Sequence, residues 1–171
     1  MGVGNLALSV LARTLDRRKK PEPLPTHPNK KRTLLNCHTI RGSVAAVSCL
    51  QMLMRSKGVK LSRETAMERL GISTEEEENL PTPRKVQQIV SKYYTRWRLK
   101  KIKFPEREID KGNLVMAVAT KEKPQDHIVI IKGYNKDYFW VVNPLYKNSH
   151  KSKKSQVHFE ALGEYYALTK N

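Results

Sequence analysis

The stretch Gln125 to Pro144 constrains this chain most. Two β-branched and aromatic runs, Ile128 to Ile131 and Tyr138 to Val142, flank the turn residues Gly133, Asn135 and Asp137. That pattern reads as two antiparallel strands joined by a tight turn. It commits the second half of the chain to an antiparallel sheet. His127 opens the first strand and Asn143 closes the second. In such a pair the first residue of one strand lies beside the last of the other. The spacing therefore sets an imidazole next to a carboxamide, the orienting half of a nucleophilic triad. The bland alternative is a polar pair at a strand end.

Helices precede the sheet. Val44 to Arg55 is apolar around most of its circumference and is expected to be a buried central helix ended by Gly58, with Ser43 as its cap. Ser62 caps a second helix running to Leu70, and Gly71 stops it. Thr82-Pro83 opens a third, to about Tyr93, with Val86, Ile89, Val90 and Tyr93 on its apolar stripe. Residues 33–43 read as loop and Glu75 to Glu78 as a solvated acidic run. Trp97 to Phe104, Leu114 to Ala119 and Tyr165 to Thr169 read as strands, and Lys147 to Ser155 as a polar loop. Helices followed by an antiparallel sheet is an α+β order.

Charge sets the partner class. Lys plus Arg is 33 against 16 acids, a net charge of +17. Residues 1–32 hold eight Lys/Arg and two acids, with a proline-dense Pro21 to Pro28, and read as an extended basic arm. The remaining domain, 33–171, is still at +11. Such a field attracts polyanions or acidic proteins. The cations singled out for that role are Arg17, Arg18, Lys19, Lys20, Lys30, Lys31 and Arg32 in the arm, with Arg96, Arg98, Lys100, Lys101, Lys151, Lys153 and Lys154 in the domain. Around Tyr93 and Trp97 aromatics interleave with cations, which suits stacking on bases; a solvated strand junction is the plainer reading. Met1-Gly2 lacks the Ser or Thr that myristoylation wants at Leu6, and no apolar run reaches the length of a membrane span.

Two cysteines cannot build a disulfide framework, so a reducing, intracellular compartment is expected. Cys37, His38 and Cys49 lack metal-ligand spacing, so no metal is expected, nor any other cofactor. His27, His150 and His158 lie in polar surroundings and are expected to be solvated.

Over residues 39–169 the chain resembles the C39 peptidases, papain-like cysteine proteases that trim leader peptides in bacteriocin exporters. Their first motif looks like Asp/Glu-Cys-Gly-x-Ala-x-Leu-x-Met, and Val47 to Met52 with Gly58 fit its spacing. Their second is a His opening an apolar strand, a Gly, and Asp-Pro closing the next; His127, Gly133 and Asn143-Pro144 fit, with Asn for Asp. The resemblance implies a papain-like fold, a helical half packed on an antiparallel sheet. It also places Ala45 at the nucleophile position, Val44 at the preceding acid, Ala46 at the following Gly and Thr39 at the oxyanion glutamine. Alanine cannot attack a carbonyl, and losing a triad nucleophile costs about 10⁶-fold in turnover. Cys49, one turn into the helix, is expected to be a core residue and Ser43 a cap, neither a substitute nucleophile.

Three readings follow. The first is a non-catalytic pseudo-protease domain serving as a structural or binding component of a larger assembly, one that contains nucleic acid if the basic surface is read that way. The second is a working cysteine protease whose residue 45 has been replaced by Ala. The third is a nucleic-acid-binding protein on this scaffold.

Overall fold

The computed structural model describes residues 33–42, 44–73, 82–118, 128–146 and 148–171. The basic arm, Ser43, the Glu75 to Glu78 run, His127 and Lys147 lie outside the described residues. The elements follow as β1 (Thr33–Leu34), α1 (Ala45–Ser56), α2 (Arg63–Leu70), α3 (Pro83–Tyr93), β2 (Trp97–Ile102), α4 (Pro105–Asp110), β3 (Val115–Val118), β4 (Ile128–Tyr134), β5 (Tyr138–Val142), β6 (His150–Lys153), α5 (Lys154–Ala161) and β7 (Tyr165–Lys170).

Local signals explain most boundaries. Ser62 Oγ accepts from Thr65 N at the start of α2, and Gly71 closes it at φ 73°. Thr82 Oγ1 accepts from Lys85 N ahead of Pro83, fixing the first turn of α3. Asn135 Oδ1 accepts from the amides of Asp137 and Tyr138, which closes the β4–β5 turn. The start of α1 is the exception: Val44 is its N-cap and supplies no side-chain cap.

The sheet has seven antiparallel strands in the order β2-β7-β3-β4-β5-β6, with β1 added against β4. The C-terminal strand thus inserts between β2 and β3. One face carries α1, α2 and α3: Leu50, Leu53, Val86 and Val90 pack with Leu99, Met116, Ile130 and Leu168. The other face carries α4 and α5: Ile109, Val157 and Ala161 pack with Val115, Phe139, Val141 and Tyr165. All four residues of β3 are buried, as a strand covered on both faces requires.

The α+β, papain-like architecture expected from sequence is the architecture found, with a second helical layer added. Four local readings are corrected. Tyr93, expected on the apolar stripe of α3, is 42% exposed. Residues 33–34 are strand, not loop. Their approach to β4 is so close that a Cβ on Gly133 would lie 2.6 Å from Thr33 O. The lysine-rich Lys147 to Ser155 segment is not a loop: His150–Lys153 pairs with β5 and Lys154 begins α5. His158 is not solvated; it is half-buried, and its Nδ1 lies 2.7 Å from the Tyr165 hydroxyl, between the rings of Phe139 and Tyr165.

Candidate functional site

The helix most deeply embedded in the fold is α1, with every residue from Ala46 to Met54 buried. Its packing against β4 sets the site. Cys49 Sγ reaches the carbonyl of Ile128, the first residue of β4, at 3.5 Å. The segment leading into the helix is clasped to the end of β5, where Gly42 N donates to Pro144 O at 3.2 Å. The N-terminus of α1 is thus held beside both the opening of β4 and the close of β5.

Ala45 is the first residue of α1 and is half-buried. Val44 and Ala46 on either side are buried in the core at 1% and 3% exposure. Thr39 is half-buried within the segment that leads to the helix, between Cys37 and Ile40, which both pack on the core. Asn143 is half-buried directly after β5. Its Oδ1 accepts from Leu145 N and its carbonyl from Tyr146 N, a local turn that presents Leu145 and Tyr146 to solvent. The β4–β5 ladder pairs Ile130 with Val142, so one step further Asn143 falls in line with Val129. His127 lies outside the described residues, and its approach to Asn143 with it.

Neither cysteine is chemically prepared. Cys49 is fully buried and its thiol is pushed far above the usual range, first by burial and then by nearby Cys37. Cys37 is half-buried beside Met52 Sδ, and burial raises it too, against a smaller opposing pull from Lys132. A thiol that stays protonated is a poor nucleophile. Among the described residues, no three His, Cys, Asp or Glu side chains come together as metal ligands, and no helix is long and apolar enough to cross a membrane.

Residues 37–171 match the Peptidase_C39-like family. The chain belongs to that family. No curated protein matches this C39-like chain. Among solved structures it is similar to a protein assigned as a C39-like peptidase from Bacillus anthracis (13% identity, TM-score 0.66, covering 83% of this chain and 99% of that one). It is also similar to the peptidase domain of Streptococcus ComA, a bi-functional ABC transporter in a quorum-sensing pathway (14%, 0.59, 83% and 100%). A third is a double-glycine-motif protease from an AMS/PCAT transporter in complex with the leader peptide (12%, 0.62, 88% and 100%). At such identities the likeness speaks for the fold.

On this C39-like scaffold the cations marked from sequence do not form one patch. Arg96, Arg98, Lys100 and Lys101 lie on or beside β2, at one edge of the sheet. Lys151 and Lys153 lie on β6, at the other. Lys154 leaves the set altogether. It is buried under α4, its Nζ 3.2 Å from Glu106 Oε1, and is not presented to a polyanion. The remaining cations, Arg17 to Lys20 and Lys30 to Arg32, belong to the arm outside the described residues. Sequence reading missed Arg84 and Lys85, both exposed on α3. Their signal was available, since residues 82–103 contain no acid.

Proposed function

We propose that this chain is a pseudo-protease: a basic arm, residues 1–32, followed by a C39-like domain, residues 33–171, that keeps the scaffold without the chemistry. It acts as a binding or structural component of a larger assembly. The observation that carries this reading is the start of α1. A methyl group occupies the position where the family resemblance places the thiol, and both cysteines lie elsewhere with raised pKa values. A helix N-terminus favours a thiolate only if a thiol is there.

The alternative of an active enzyme with one replaced residue is less economical. Val44 and Ala46 are packed into the core where the family pattern has an acid and a glycine, so the departure extends over three consecutive residues. A half-buried threonine, too short to act as a glutamine-like oxyanion donor, stands at position 39. The His127–Asn143 pair is retained in this reading. Its support is the sequence spacing: His127 comes two residues before Val129, the residue in line with Asn143.

The site then binds an extended peptide and releases it uncut. Support comes from the exposed Leu145 and Tyr146, an apolar lip beside the Gly42–Pro144 clasp, and from the leader peptide bound by the AMS/PCAT relative. The test is to incubate the full chain with a mixed peptide library and follow turnover by mass spectrometry. No cleavage above buffer is expected. Cleavage that disappears in His127→Ala would overturn the proposal.

A further inference from the structure

One stretch of the domain carries cations with no acid among them. Between Thr82 and Lys103 there are eight Lys or Arg residues and no Asp or Glu. All eight (Arg84, Lys85, Lys92, Arg96, Arg98, Lys100, Lys101 and Lys103) are exposed. They belong to two elements that pack directly together: Gln87 Nε2 of α3 donates to Leu99 O of β2 at 3.0 Å. β2 is the terminal strand of the sheet. Leu99 faces the α1–α3 layer, so Arg98 and Lys100 project from the opposite face. The cations therefore wrap around the sheet edge, from α3 on one face to Arg98 and Lys100 on the other. Of them, Lys101 pairs with Glu164 at 2.6 Å.

Edge strands often carry lysines as protection against strand addition, which would account for β2. It does not account for α3, nor for Tyr93. Tyr93 ends α3 with 42% of its surface exposed, and its ring is held by Arg69 at 4.5 Å and Lys92 at 5.1 Å from the centroid. Arg69 also lies over Tyr94 at 5.1 Å and bonds its hydroxyl, which ties both rings to α2. Clustered like charges destabilise the free protein. A strand of phosphates laid along them removes that repulsion and releases counterions. An exposed ring framed by cations is a stacking surface for an unpaired base. A lipid surface would call for exposed apolar side chains to insert. Among the described residues the other large exposed ones, Leu34, Leu145, Tyr146 and Leu162, lie outside this segment.

We propose that the α3–β2 surface binds single-stranded nucleic acid, with Arg84, Lys92, Arg98 and Lys100 on the phosphates and Tyr93 stacked on a base. The inference deepens the reading of the chain as a binding component, but its site is separate from the start of α1. Peptide turnover and oligonucleotide binding can therefore fail independently.

The test uses the full chain and a fluorescein-labelled 20-nucleotide oligouridine, read by anisotropy across a salt series. Parallel measurements use phosphatidylserine vesicles. The variants are R84Q/K92Q, R98Q/K100Q, their combination, Tyr93→Ala and Tyr93→Phe. K151Q/K153Q, on the far edge, removes the same charge as either double variant. All these positions except Tyr93 are exposed polar sites, and unchanged thermal melting verifies folding. The four-site variant is expected to lose at least tenfold in affinity, with the log–log salt slope shallower by about 2 to 3 at about 0.7 per phosphate. Tyr93→Ala should lose fivefold or more while Tyr93→Phe stays within twofold. K151Q/K153Q should also stay within twofold. Equal binding by parent and four-site variant overturns the proposal. So does a loss in K151Q/K153Q as large as in R98Q/K100Q, or binding to vesicles without binding to the oligonucleotide.

Discussion

Replacing Lys154 with Met tests how the second layer of the fold is held. The Lys154 side chain is 11% exposed and that of Glu106 only 2%. The ammonium lies 3.2 Å from Glu106 Oε1 without hydrogen-bond geometry, and among the described residues neither carboxylate oxygen has a hydrogen-bond partner. The same ammonium sits 4.8 Å from the Tyr134 ring centroid and 5.4 Å from that of Phe139. Lys154→Met keeps most of the aliphatic volume and removes the charge. Glu106 is then a buried carboxylate with nothing opposite it, a situation that costs about 3–5 kcal/mol. At about 2–4 °C per kcal/mol for a domain of this size, the melting temperature should fall by roughly 6–20 °C. Replacing both partners, Glu106→Leu with Lys154→Met, should recover most of the loss, because an apolar pair of similar volume is commonly neutral or better. Urea unfolding followed by circular dichroism on parent, both single variants and the double variant completes the cycle. If Lys154→Met lies within about 1 kcal/mol of the parent, the ammonium is not compensating a buried charge and the reasoning fails.

Two further outcomes follow from the same layer. Tyr134 donates to Asp110 Oδ1 at 2.7 Å, and burial, that hydrogen bond and the carboxylate's charge push its phenol up to about 12. The phenol stays protonated longer in the folded chain than in the unfolded one. Its contribution to stability is therefore complete below the ordinary value of 10.0 and lost as pH rises through about 12. Phenolate absorbance of Asp110→Asn against parent checks this, the variant titrating closer to the ordinary value. Gly133→Ala would set a Cβ 2.6 Å from Thr33 O and 3.0 Å from Leu34 Cα, so β1 must move away from β4. A loss of about 1–3 kcal/mol is expected, with faster hydrogen exchange at Leu35 N, which donates to Lys132 O.

The parts of this fold that were legible in sequence had a period and a punctuation mark. The β4–β5 hairpin alternates around Asn135, and α2 and α3 carry their own caps. The second helical layer had neither. α4 spans six residues and buries Glu106 and Glu108 beside Ile109, the reverse of the polarity a pattern search seeks. β6 and α5 arise from a lysine-rich run whose buried residues, Lys154 among them, include a charge. A hint lay in β3, an apolar run that only makes sense with both faces covered. For the site, the helix start at Ala45 and the turn at Asn143 were placed by motif spacing. Their clasp through Gly42 and Pro144 was not, because it joins backbone groups of segments distant in sequence. The division of the cations between two sheet edges was equally hidden. It depends on β7 inserting next to β2, a strand order that no local pattern encodes.

The pseudo-protease account is tested most directly by returning a thiol to the start of α1. In Ala45→Cys the new side chain stands at a helix N-terminus, opposite the position proposed for His127, where dipole and imidazole both favour the thiolate. Iodoacetamide labelling of the folded variant, mapped by mass spectrometry, should modify residue 45 well ahead of Cys37 and of the fully buried Cys49. That advantage should shrink when His127→Ala is added, while peptide cleavage stays weak because the Thr39 side chain cannot supply the missing oxyanion donor. A residue-45 thiol no faster than Cys37 would contradict the placement of the site, and brisk cleavage dependent on His127 would mean that Ala45 alone separates this chain from an active enzyme.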